Sequence, residues 1–186
     1  MLSITLGFLL FSCDEYHASY PAGPDNEASN YEAYMGDWQF LDYVEDPLNK
    51  YQSTYDPHAF RLMRFNDREF LMEYIPEDDS KVTVREYVKD LHLIRGWLST
   101  IDGKLFVNLT PIGREMEEPT FFVHRIALQG DTLIATTLSA RLFTELGVEI
   151  NSVSEHTAFI KSIADSTQYW NTRYRYIRQQ PTEDDN

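Results

Sequence analysis

The sequence predicts a mostly β domain, an antiparallel barrel with two short helices near its C-terminal end. Three observations carry this. Apolar and polar residues alternate with period 2 in short runs, as in strands with one buried face. Asp102-Gly103 and Gln129-Gly130-Asp131 separate such runs at hairpin spacing. Apolar residues take up three-to-four spacing only after Ser139. Tyr (12) and Phe (11) supply most of the 14% aromatic share, and both types favour strands. The count comes to about eight to ten strands, and closing them into a barrel removes the edges they would otherwise expose.

The domain is expected over residues 34–178. Gly36-Asp37-Trp38 opens the first strand, with Trp38 and Phe40 on one face and Leu41 and Tyr43 roughly opposite. Glu45-Asp46-Pro47 ends it, because Pro cannot donate to a ladder. Residues 48–57 read as a loop, 59–65 as the next strand, Asn66-Asp67 as a hairpin turn and 69–75 as its partner. After a polar break at 76–80 one strand runs to about His92, and another covers 93–100. A meander follows. Leu105, Val107 and Leu109 alternate with Phe106, Asn108 and Thr110; in 120–128, Phe122, His124, Ile126 and Leu128 share one face. Phe121, Val123 and Ala127 lie on the other with Arg125, and Leu133, Ile134 and Leu138 belong to the third strand. Leu142, Phe143 and Leu146 then mark a first short helix, with Gly147 as its C-cap. Ser154 is the N-cap candidate of a second, whose stripe is His156, Phe159, Ile160 and Ile163. Residues 172–178 form a last strand, Tyr174 and Tyr176 alternating with Arg173, Arg175 and Ile177 on an exposed side.

The start of the chain has a different character. Residues 1–12 (MLSITLGFLLFS) are apolar and lead to the only cysteine, Cys13. About 20 apolar residues are needed to span a bilayer, so this run is too short, but it fits the apolar region of a secretory signal. Leu10-Phe11-Ser12-Cys13 resembles the bacterial lipobox, with a branched residue at −3 and a small one at −1. Phe11 is bulkier than the usual −2 residue, and no Lys or Arg precedes the run. The resemblance implies that residues 1–13 are a lipoprotein signal and that Cys13 is lipidated. Residues 14–33 are acidic, rich in Ala, Pro, Gly, Ser and Asn, and without pattern, as expected of a disordered tether; 179–186 read as a disordered acidic tail. With one cysteine there is no intramolecular disulfide.

The formal net charge is −14. Five acids in residues 14–35 and three in 181–186, with no Lys or Arg among them, leave −6 for the 145 residues between. No basic block occurs, so a nucleic-acid partner is excluded.

Gly36-Asp37-Trp38 at the first strand is similar to the Gly-X-Trp start of lipocalin-type barrels, in which the Trp plugs the closed end. The C-terminal third resembles a group of uncharacterised bacterial lipoproteins with a lipocalin-like domain. Its features are a strand with paired aromatics, a Gly-Asp turn, Leu-Ile, a Leu-rich helix, Ser154-Glu155-His156-Thr157 and a Tyr-rich end. The resemblance implies a lipocalin-like barrel on an envelope lipoprotein, membrane-anchored and facing the periplasm or the cell exterior. It carries over no catalytic residues.

The residues themselves point away from catalysis. His92, His124 and His156 form no metal-ligand pair, no Gly-X-Ser-X-Gly elbow or phosphate-binding glycine loop occurs, and nothing selects a carboxylate pair. Asn108-Leu109-Thr110 matches a glycosylation sequon but lies within a strand. The expectation is a non-enzymatic binding or interaction module without cofactor or metal, its partner a small apolar ligand or an envelope protein. Trp38, Tyr87, Phe122, His124 and Arg125 are the candidate lining, aromatics with a few polar groups. The rival is an envelope enzyme with a carboxylate or histidine site in the barrel mouth.

Overall fold

A computed structural model of the chain describes residues 17–23, 31–44, 59–75, 93–112, 119–138, 147–166 and 169–179. In chain order these hold strand β1 (His17–Ala18), a 3-10 turn (Tyr31–Tyr34), β2 (Gly36–Val44), β3 (Ala59–Arg64) and β4 (Phe70–Ile75). Then come β5 (Leu93–Ile101), β6 (Lys104–Pro111), β7 (Phe121–Gln129), β8 (Thr132–Leu138), helix α1 (Val153–Ile163) and β9 (Trp170–Arg178).

Strands β2 to β9 pair antiparallel in sequence order, and β9 returns to β2, closing an eight-stranded barrel. The hairpins obey local turn chemistry. Asp102 and Gly103 both have positive φ, as a type I′ turn requires, and Ile101 pairs with Lys104. At the β3–β4 turn Asn66 Oδ1 accepts from the Arg68 and Glu69 backbone N–H groups, an Asx-type closure.

Two apolar clusters lie on opposite faces of the barrel wall. The interior holds Trp38, Phe60, Leu62, Phe70, Met72, Ile94, Leu98, Val107, Leu109, Phe122, Ile126, Leu133 and Tyr176. Filling is tight where Phe70 lies against Gly96: a Cβ there would meet the ring at 2.5 Å. Outside, Ile101, Phe106, Val123, Leu138 and Trp170 pack under Ile160, Ile163 and Ala164 and against Ala18 and Ala22. The alternation read in the meander therefore separates an interior face from a second, helix-covered one.

Several expectations are corrected. The helix is capped by Ser152, not Ser154: Ser152 Oγ accepts from Glu155 N–H, and Glu155 reaches back to Asn151 N–H. That Ser-x-x-Glu pattern satisfies two backbone donors, which a start at Ser154 would leave open. In β2 the register shifts between Phe40 and Asp42, so Leu41 is a bulge residue, 49% exposed. The stretch 14–33 is not tether throughout, because residues 17–23 are seated on the barrel and the 3-10 turn begins at Tyr31. Gln179, assigned to the tail, still donates its N–H to Asp37 O at 2.9 Å. The expected signal at 1–13, the strand reaching His92 and the helix around Leu142 fall outside the described residues, so one helix, α1, is described.

Candidate functional site

The two ends of the barrel differ. At one end are the short turns of β3–β4, β5–β6 and β7–β8 and the start of β2. At the other β2, β4, β6 and β8 finish and β3, β5, β7 and β9 begin; the long connections that join them run through residues 45–58, 76–92, 113–118 and 139–146, outside the described residues.

A plug closes the first end. Gly36 has φ +121, a conformation open to glycine, and a Cβ there would stand 3.0 Å from Arg178 Nη1. The glycine lets the chain turn from the Tyr31–Tyr34 segment into β2 directly beneath the arginine. Trp38, fully buried, donates Nε1–H to Tyr34 O at 2.9 Å. The Arg178 guanidinium stacks 4.4 Å from the Trp38 ring centre and donates to the Met35 and Ala33 carbonyls. Tyr31 Oη ties the turn to Asn66 O at 2.8 Å. Tyr31, Tyr34 and Met35 pack on the interior cluster from this side. The expectation singled out Trp38 but missed Arg178, which is 140 positions away in sequence and adjacent only through barrel closure.

Of the five candidate lining residues, Trp38, Phe122 and His124 share the interior face. Trp38 belongs to the plug, whereas His124 sits halfway along β7, paired with Val107 on one side and Thr137 on the other. Its Nδ1 is sealed from solvent and has no partner among the described residues, although the ring as a whole is only half-buried. Burial lowers its pKa from 6.5 to about 4, so the ring is neutral at pH 7, with one nitrogen donating and the other accepting. A buried polar atom left without a partner costs about 1–3 kcal/mol, which makes it the natural contact for a polar group brought in by a ligand.

Arg125 is not a lining residue. It follows His124 directly, so strand alternation turns it outward, where Nη1 donates to Ala164 O at 2.9 Å and the guanidinium lies 5.4 Å from the Trp170 ring. With Trp170 Nε1–H bonded to Ile163 O, it satisfies carbonyls at the end of α1 that no helical N–H can reach. Tyr87 lies outside the described residues.

A polar constellation on the outer wall was not anticipated. Asn108, fully buried on β6, accepts from Ala22 N–H at 2.7 Å through Oδ1 and donates through Nδ2 to Ala22 O and Ser99 Oγ. Thr157 Oγ1 accepts from Gly23 N–H, and the buried His156 ring meets Tyr20 O through Nδ1, which must carry the proton because a carbonyl can only accept. The Asn108 sequon is thus occupied by internal bonds. The available signal was an Asn in a strand otherwise buried from Phe106 to Leu109. Among the described residues no three His, Cys, Asp or Glu side chains are placed to hold a metal ion.

No family model, no curated protein and no solved structure matches this chain.

Proposed function

We propose that this chain is a bacterial envelope lipoprotein, anchored to a membrane through Cys13, whose lipocalin-like barrel binds one small apolar ligand and catalyses no reaction. The binding reading rests on one observation: inside an apolar interior plugged at one end, His124 presents a neutral ring whose Nδ1 has no partner among the described residues. The lipocalin-like reading is supported by Gly36-Asp37-Trp38 at the first strand, with Trp38 built into the plug. The ligand enters from the end of the long connections. It is uncharged, because an unpaired charge in such an interior would be strongly disfavoured, and it carries one hydroxyl or carbonyl for the histidine.

Titration with an environment-sensitive naphthalene dye, displaced by long-chain alcohols, tests the binding. His124→Phe keeps the interior apolar and should weaken an alcohol about five- to tenfold, the worth of one hydrogen bond, while leaving an alkane unaffected. Failure of the dye and the alcohols to bind would overturn the ligand reading. Independently, Cys13→Ser should release the protein into the soluble fraction or leave it unprocessed. Unchanged mass and fractionation would remove the anchor.

A further inference from the structure

Residues 17–23 are fastened along their length, and the fastening has a direction. His17 and Ala18 pair with Phe122 and Phe121, at the start of β7 and therefore at the end of the long connections. Ala22 is gripped by Asn108 midway along β6. Gly23, with φ +81, lies against Ser99 and Ile101 on β5, nearer the plugged end; a Cβ on it would stand 2.8 Å from Ser99 Cβ. The chain thus comes onto the barrel wall at one end, crosses beneath α1 and leaves toward the other, where Tyr31 begins the plug.

Cys13 precedes His17 by four residue steps, a reach of at most about 14 Å. From the level of Phe122, β7 continues to Gln129 for about 23 Å, or roughly 18 Å along the axis at a strand tilt near 40°. An anchor at Cys13 cannot be carried to the plugged end. We infer that the barrel is held with its plugged end away from the membrane and its long-connection end toward it, so that its interior is served by apolar chains of the bilayer itself. This rests on the anchored reading above and adds an orientation and a source for the ligand. The fastening of residues 17–23 sets the orientation.

The test uses the full lipidated chain in phosphatidylcholine vesicles containing a headgroup-linked energy acceptor. Lipidation occupies the Cys13 thiol, so a donor can be attached at a single introduced cysteine. Ile112→Cys lies at the long-connection end and Asp131→Cys at the plugged end, and both positions are exposed. The donor at 112 is expected to be quenched at least twofold more than at 131, at low and high salt alike. Equal quenching, or stronger quenching at 131, overturns the inference. If the protein does not associate with the vesicles, the anchored reading fails and takes the orientation with it. Gly23→Ala unseats the segment without touching the barrel interior. With strand content unchanged by circular dichroism, it should bring the two quenching values together, and a persisting twofold difference overturns the role given to the fastening.

Discussion

Among the described residues, His156 and His124 couple this fold to pH between 6.5 and about 4. Both are neutral because burial pushes their pKa down to about 4 from an ordinary 6.5; for His156 the Tyr20 and Pro21 backbone contacts only partly offset that burial. Between these values the unfolded chain binds the proton and the folded chain does not. Stability is therefore full above about pH 6.5 and falls as pH drops toward 4, by about 1.4 kcal/mol per pH unit for each histidine. Urea unfolding from pH 7.5 to 4 should show this slope, and His124→Phe should remove one histidine's share. Asp42, hydrogen-bonded to Arg175, and Asp165, to Lys104, have lowered pKa values and lose their contributions at still lower pH. Asn108 works through geometry instead. Asn108→Ala leaves both backbone groups of Ala22 without their partner and should cost about 1–3 kcal/mol, read as a lower urea midpoint with an unchanged slope.

Among the elements, the meander β6–β7–β8 was fully legible, because side-chain alternation and turn chemistry are local and each strand has one interior face. The same alternation bears on the candidate site. His124 and Arg125 are adjacent and cannot both face inward, a parity constraint that the sequence already contained and that favours His124. Segment 17–23 was not legible, since its order comes from Asn108, Ser99, His156 and Thr157 rather than from any pattern of its own. A chain beginning at Tyr31 lacks this segment. It uncovers part of the outer cluster and should be about 2–4 kcal/mol less stable than one beginning at Asp14, measured by urea unfolding. Equal midpoints would mean that the segment adds nothing to the fold.

For the whole molecule, closure makes the plug depend on groups that the chain brings together only when complete. Arg178 bonds to Met35 across 143 positions. Arg178→Ala removes the stacking on Trp38 and two carbonyl bonds, so a loss of about 2–3 kcal/mol is expected, visible as a lower Tm with the β-type circular-dichroism spectrum retained. Trp38→Ala empties a fully buried site and should cost more, about 3–5 kcal/mol. Sequence reading identified a barrel and its first strand but not the closing pair, because pairing between strands so far apart leaves no local trace.

The seam between β2 and β9 also sets the order of events during synthesis. The ribosome releases the chain from its N-terminus, so β2 emerges before its partner β9, which the chain reaches only after β3 to β8. Until then β2 offers an unpaired edge, with Leu41 at its bulge, to any other chain nearby. Contacts this distant in sequence also form slowly once the chain is free. The last strand thus acts as a latch, and a nascent chain lacking it stays open however complete its other hairpins are.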